Sequence, residues 1–308
     1  MLSALVAGVL ASGCTTEPTT PASTSATPGV ETPATGATTP AATATATATA
    51  TPTSTASVVP TLAVGSVSNF RDVAGDGLAL PDGGHLATGV VYRSAKLSTA
   101  STADLRRLSN AGIELVIDLR TPYVASRSPD PAIKGADHRM VNIYAVTRSP
   151  TVTYRTVAAA RAHMRRLNVD FVADPAQRAK IGEALELIAS ADGPVVVHCT
   201  EGKDRTGWIS AMLQYIAGAD DEQVLAEYLK SNEYRAGLLS STFARTRRTR
   251  GLTAARIERA LLRVESGYLG AGLDEVAARY GDIDTYLTEG VGLSAATVKE
   301  LRRRLVVA

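Results

Sequence analysis

Pro194-Val-Val-Val-His-Cys-Thr-Glu-Gly-Lys-Asp-Arg-Thr-Gly207 decides how this chain is read. The apolar run from Pro194 to His198 predicts a short buried strand. A tight polar loop follows from Cys199 to Arg205, then the first turn of a helix running on through Trp208, Ile209 and Met212. Five residues separate Cys199 from Arg205. A loop of that size ahead of a helix can turn the backbone N–H groups of Thr200, Glu201, Gly202, Lys203 and Asp204 inward around one tetrahedral anion. The helix N-terminus adds partial positive charge, and the planar Arg205 fork holds two oxygens at once. The same field favours the anionic form of Cys199, which makes it a nucleophile near neutral pH. Gly202 permits a backbone conformation that a side chain would obstruct. The loop is not an NTP-binding one: Val197 stands where that motif needs glycine, and Asp204 where it needs Ser or Thr.

This loop resembles the Cys-x5-Arg element of the cysteine-dependent phosphatases. In its longer form, His-Cys-x-x-Gly-Lys-Asp-Arg-Thr-Gly, the chain resembles the atypical bacterial tyrosine-protein phosphatases that carry an Asp inside the loop. Asn69-Phe-Arg-Asp-Val-Ala-Gly75, Tyr92-Arg-Ser94, Asp118-Leu-Arg120, Glu227-Tyr-Leu-Lys-Ser-Asn232 and Tyr280-Gly-Asp-Ile-Asp-Thr-Tyr286 match further landmarks of that family, over roughly residues 66–308. Family members often carry a Glu shortly after the Asp-Leu-Arg segment, and here Pro122, Tyr123, Val124 and Ala125 follow.

The resemblance implies a cofactor-free reaction through a phosphocysteine on Cys199, with Arg205 binding the phosphoryl oxygens. It also implies that Asp204 is the general acid and base, since the one tryptophan, Trp208, lies in the helix and no Trp-Pro-Asp loop exists. A helix N-cap role for Asp204 is the alternative. Lys203 adds a point charge, a feature shared with inositol-lipid phosphatases. Thr206 is placed to hydrogen-bond the thiolate and His198 to fix the loop. Asp72, Arg93, Asp118 and Arg120 are candidate supports, against ordinary ion pairs. The implied substrates are proteins bearing phosphotyrosine, and also phosphoserine, phosphothreonine or phosphoinositides. Two other classes stay open: a module binding phosphorylated ligands without turnover, and a sulfurtransferase, which the Asp204-Arg205-Thr206 segment disfavours.

The chain has 308 residues, 45% hydrophobic and 5% aromatic, with net charge +2. That suits one α/β domain plus an unstructured part and argues against a nucleic-acid footprint. Two cysteines, Cys14 and Cys199, make no disulfide framework. The four histidines, His85, His138, His163 and His198, lack metal-ligand spacing. Residues 1–14 are apolar and small up to Cys14, like a secretory signal ending at a lipid-modified cysteine. Residues 15–64 are almost wholly Thr, Ala, Pro and Ser, the composition of a disordered tether. The expectation is an extracytoplasmic bacterial lipoprotein, anchored through Cys14, with a phosphatase domain over residues 65–308.

Within that domain Leu78 to Arg93 reads as a hairpin around Pro81-Asp-Gly-Gly84. A helix capped at Ser101 runs to Asn110. Strands are expected at 113–119, 140–145 and 194–198, alternating with helices, hence a largely parallel sheet covered on both faces. Thr153–Leu167 predicts an extra helix, either a lid over the site or a plain crossover, and Pro175–Ser190 a helix on the sheet. A helical C-terminal layer follows from residue 220. Arg245, Arg247, Arg248 and Arg250 are read as a solvated loop.

Overall fold

The computed structural model describes residues 62–148 and 152–308. The signal and anchor expected over residues 1–14, and the tether expected over 15–64 up to residue 61, lie outside the described residues. At the boundary, Val64 is already buried in a small apolar cluster.

Five strands make the central sheet: β1 (Arg71–Asp72), β3 (Val91–Ser94), β4 (Leu115–Asp118), β5 (Asp137–Met140) and β6 (Val195–His198). Their order is β1-β3-β6-β4-β5, with β3, β6, β4 and β5 parallel and β1 antiparallel at one edge. The centre is β6, the run singled out in the sequence. Val195 and Val197 face one cluster, which also holds Leu115 and Ile117, while Val196 and Val116 face the other. A strand buried on both faces needs that unbroken β-branched run. The smaller cluster lies under α1 (Thr102–Asn110), which is capped by Ser101. The larger one holds residues of α3 (Val157–Ala173), α4 (Pro175–Ser190), α5 (Arg205–Ala217), α6 (Asp221–Leu229), α9 (Ser266–Tyr280) and α11 (Ala295–Leu305). The short helices α2 (Pro122–Arg127), α7 (Ser231–Tyr234) and α10 (Ile283–Thr285), and the long α8 (Ala236–Leu262), complete the α-helices among the described residues.

Several expectations change. The hairpin forms around residues 81–84, with Leu80 N donating to Gly84 O, Leu86 N to Leu78 O and an antiparallel bridge between Ala79 and His85. Its second strand is short, however: β2 (His85–Leu86) also pairs with β7 (Val306–Val307), and the run from Val91 joins the central sheet as β3. The strand expected at 140–145 lies earlier, at β5, which is exposed along its length, while Val141 and Ile143 are buried in the loop after it. Helix α3 packs along α9 and α8 and buries Ala160, Met164, Phe171 and Val172, so it is an integral layer element. Trp208 ties it in: the indole N–H donates to the Tyr286 hydroxyl, which donates to Phe171 O. The arginine-rich stretch 245–250 is helical, within α8.

Candidate active site

Cys199 follows the last residue of β6 and is 2% exposed. The loop then turns sharply at Gly202, φ 66°, where a Cβ would stand 2.4 Å from the carbonyl carbon and oxygen of Ser94. No side chain fits there, and the positive φ adds strain for any residue but glycine.

What orients the loop is the capture of its carbonyls. Thr200 O accepts from Lys96 N (3.3 Å), Glu201 O from Asn69 Nδ2 (3.2 Å), and Gly202 O from Asn69 Nδ2 (2.8 Å) and Arg93 Nη2 (2.9 Å). In a trans peptide the following N–H points opposite to the carbonyl. With those three carbonyls held outward by β1, β3 and their flanks, the amides of Glu201, Gly202 and Lys203 point to the inner side. Neither these nor the amides of Asp204 and Arg205 donate to any protein acceptor among the described residues. The loop is a row of unspent donors at a helix N-terminus, an arrangement that binds a tetrahedral oxyanion.

Behind the captured carbonyls stands a buried ion cluster. Glu227 on α6 pairs through one oxygen with Arg71 Nε and through the other with Arg93 Nη1, each at 2.5 Å. Arg71 also donates to Asn69 Oδ1 at 2.5 Å, fixing the asparagine that holds Gly202. Burial would raise the Glu227 carboxyl, but Arg93 and Arg71 together hold it below the ordinary range. Burial lowers Arg93 to about 10, still a cation at neutral pH. On the far side, Arg235 pairs with the Glu201 carboxylate.

Arg205 opens α5 and turns back over the loop. Nη1 donates to Leu119 O at 3.1 Å and Nη2 to Thr200 Oγ1 at 3.3 Å, and Cζ lies 4.5 Å from the Tyr144 ring centroid. Those two bonds leave the remaining guanidinium hydrogens, including the partnerless Nε–H, for a ligand. For Cys199, burial is the largest influence and would raise the thiol. The Arg205 guanidinium, the Thr206 hydroxyl and the Thr206 amide outweigh it, Asp204 opposes them, and the thiol ends below its ordinary value. Thr206 Oγ1 has no nitrogen or oxygen partner, so its hydrogen is free for the sulfur.

Asp204 occupies the N-cap position of α5 without capping it: its carboxylate makes no bond to the helix amides. It is held by the neighbouring Lys203 ammonium, at 3.0 and 2.8 Å to its two oxygens. The Lys203 charge is thus already paired beside the loop. Other acids are committed elsewhere. Asp118 gives both oxygens to Arg120. Asp72 does not touch the loop; it accepts from Ala74 N and Gly89 N and braces the turn beyond β1.

His198 Nδ1 lies 3.3 Å from Cys199 O, and Nε2 lies 3.2 Å from Asp130 Oδ2, at an angle short of a linear hydrogen bond. Asp130 also receives Arg120 Nη2 at 2.5 Å. Asp118, Asp130 and His198 bring donor atoms within 4.8 Å of one another, a set that in other surroundings suits a cation. Here the Arg120 guanidinium already supplies the countercharge to both carboxylates. Sequence reading did not single out Asp130, Tyr144, Asn69, Glu227 and Arg235 as site residues. Asn69 and Glu227 lay inside quoted landmarks, whereas Asp130, in Ser128-Pro-Asp-Pro131, carried only a loop signal.

Comparison with known proteins gives the same direction. A Cupriavidus necator protein, "Putative tyrosine-protein phosphatase H16_A0669", is 31% identical over 246 residues, covering 77% of this chain and 86% of that protein. The Mycobacterium tuberculosis "Triple specificity protein phosphatase PtpB" is 30% identical over 270 residues, 76% of this chain and 95% of the relative. Among solved structures, P. aeruginosa TpbA shares 17% identity over 50% of this chain and 83% of its own, with a TM-score of 0.25, too low a likeness to carry weight. The profile described as "Tyrosine phosphatase family" matches residues 62–307, nearly all of the described chain. The chain belongs to the tyrosine phosphatase family, whose members are cysteine-dependent phosphomonoester hydrolases.

Proposed function

We propose that the chain hydrolyses phosphotyrosine in proteins, with Cys199, Arg205 and Asp204 as its catalytic residues. The observation that carries this reading is the loop itself: inward amides with no protein acceptor, surrounding a thiol that the Arg205 charge holds below its ordinary pKa. In the first step Cys199 Sγ attacks phosphorus and the P–O ester bond breaks. The leaving phenolic oxygen takes a proton from Asp204. In the second, Asp204 accepts a proton from water as the water oxygen attacks phosphorus. The P–S bond breaks, the thiolate leaves with support from the Thr206 hydroxyl, and inorganic phosphate is released. Arg205 and the loop amides hold the three equatorial oxygens throughout, where charge gathers. A docking phosphate dianion competes with Asp204 for Lys203 and frees the carboxyl to reach the leaving oxygen. The half-buried Tyr144 ring beside Arg205 offers an aromatic wall for a phenyl ester.

Turnover of p-nitrophenyl phosphate, abolished in Cys199→Ser, tests the assignment. No turnover in the parent chain would leave a binding module. Asp204→Asn is expected to slow phenyl phosphate far more than esters with better leaving groups, while phosphate binding is retained; equal slowing would remove Asp204 as the acid. The relative named for triple specificity supports a broader range on the same site. Phosphoserine and phosphothreonine peptides and inositol phosphates belong beside phosphotyrosine peptides in that assay. An extracytoplasmic location, with acylation at Cys14, remains part of the same proposal. Mass analysis of Cys14 in the native host tests it, an unmodified thiol refuting it.

A further inference from the structure

Residues 236–262 carry six arginines, at positions 245, 247, 248, 250, 256 and 259, against a single acidic residue, Glu258. The segment's charge is +5 in a chain whose total is +2, leaving −3 for everything else. The catalytic reading uses none of these side chains.

The structure folds this segment as two helical arms. α8 breaks at Gly251, φ 86° and ψ 171°, a conformation strained for other residues. Contacts nested about that glycine hold the arms antiparallel. The Thr246 hydroxyl meets the Glu258 carboxylate, and Arg259 Cζ lies 5.2 Å from the Phe243 ring centroid. At the base Arg235 donates to Leu262 O at 2.6 Å. That same Arg235 pairs with Glu201, so the hairpin is rooted in the phosphate loop. At the other end Arg245, Arg247, Arg248, Arg250 and Arg256 are exposed, and none meets a carboxylate among the described residues. Leu252, 41% exposed, stands beside the corner.

We propose that this arginine tip is a docking surface for an anionic lipid bilayer. Five unpaired guanidinium groups spread around a convex corner suit a field of mobile headgroups better than the shaped surface of one acidic protein. An exposed leucine among them suits the headgroup boundary. The first arm, from Ala236 to Arg250, is about 22 Å long at the helical rise. Docking therefore holds the phosphate loop roughly one arm's length from the membrane surface. The proposal does not depend on turnover and can be tested with a catalytically dead chain.

The test uses the full 308-residue chain with Cys14→Ala, so that no acyl group is attached. It is sedimented with vesicles of phosphatidylcholine, alone or mixed with phosphatidylglycerol. Binding is expected to the anionic vesicles only, and to fall steeply between about 0.1 and about 0.5 M salt as the Debye length shrinks. The combined Arg245→Gln, Arg247→Gln, Arg248→Gln, Arg250→Gln variant should bind roughly a hundred- to a thousandfold more weakly, given several-fold per charge. Its p-nitrophenyl phosphate turnover and melting temperature should match the parent. The same four positions changed to Lys should restore binding. Equal sedimentation of parent and Gln variant, equal binding to phosphatidylcholine alone, or retention by heparin without vesicle binding would each overturn the proposal.

Discussion

Glu227→Gln is the sharpest test of how the loop is held. The carboxylate bridges Arg71 and Arg93 at 2.5 Å each, and the three side chains are 7%, 3% and 0% exposed. Replacing it by a neutral amide leaves two guanidinium groups without a countercharge inside the protein. Removing one partner of a buried ion pair costs about 3–5 kcal/mol, most of it the burden of the uncompensated charge. For a domain of this size each kcal/mol moves the melting temperature by about 2–4 °C, so a fall of roughly 6–20 °C is expected by calorimetry.

The same change should reach catalysis. Arg93 and Asn69 grip Gly202 O, and Asn69 is itself held by Arg71, so a loop freed by about 1 Å should lose on the order of a hundredfold in kcat/KM. The pH dependence gives an independent sign. The folded-state pKa of Glu227 is lowered from 4.5, so its stabilisation is present above that value and is lost as pH falls through the depressed one. Parent and variant should therefore converge in stability in acid. A variant melting within about a degree of the parent at neutral pH, with kcat/KM intact, would refute the reasoning.

Gly202→Ala should abolish vanadate and phosphate binding by titration calorimetry while the chain stays folded, because the added Cβ meets the Ser94 carbonyl at 2.4 Å; normal binding would mean the loop can shift. Iodoacetamide alkylation of Cys199 should have a midpoint below that of a free thiol and move up in Arg205→Gln, which removes the charge, since the Arg205 charge is the strongest influence lowering it; an unmoved midpoint would remove Arg205 from that role. Burial raises Asp72 from 3.8 to about 6, against the opposing bonds from Gly89 and Ala74. Its protonated form is the one the fold favours, so its stabilisation is complete below the unfolded value and lost as pH rises through about 6. Denaturant melts of Asp72→Asn, which does not titrate, should thus gain about 2–3 kcal/mol on the parent between pH ~4 and pH ~8; a constant difference would refute the shift.

The parts of the site that lie together in sequence were legible in it. β6, the loop and the first turn of α5 are one stretch, and their chemistry depends on residue type and spacing. Of the supports, Arg93 was singled out, but Glu227 and Arg235 were not, because they arrive from far away: Glu227 reaches Arg71 across 156 positions and Arg235 reaches Glu201 across 34. The two misplaced elements have physical reasons. β5 is an exposed edge strand whose Asp137, His138 and Arg139 give no apolar alternation, while the apolar Val141 and Ile143 fill the core from a loop. The arginines of α8 look like a solvated run because the first arm has little apolar periodicity. The partner arm folds it, through Phe243, Thr246 and Glu258, which is tertiary context overriding local pattern.

Counting countercharges around the loop shows where its chemistry is concentrated. Arg93 answers to Glu227, Arg235 to Glu201, Lys203 to Asp204, and Arg120 to Asp118 and Asp130. Each of these cations has a carboxylate within reach, Arg93 sharing Glu227 with Arg71, so each positions the loop more than it charges it. Arg205 is the exception: among the described residues it meets only carbonyl and hydroxyl oxygens and the face of Tyr144. A guanidinium held by neutral partners keeps its full charge for whatever enters the loop. A group able to answer it is the Cys199 sulfur, whose thiolate form Arg205 favours against burial. The same unspent charge that keeps the nucleophile ionised is therefore available to the phosphoryl group as the sulfur gives up its charge to phosphorus. For that reason a substitution that gave Arg205 a carboxylate partner, such as Tyr144→Asp, should raise the thiol and weaken phosphate binding together.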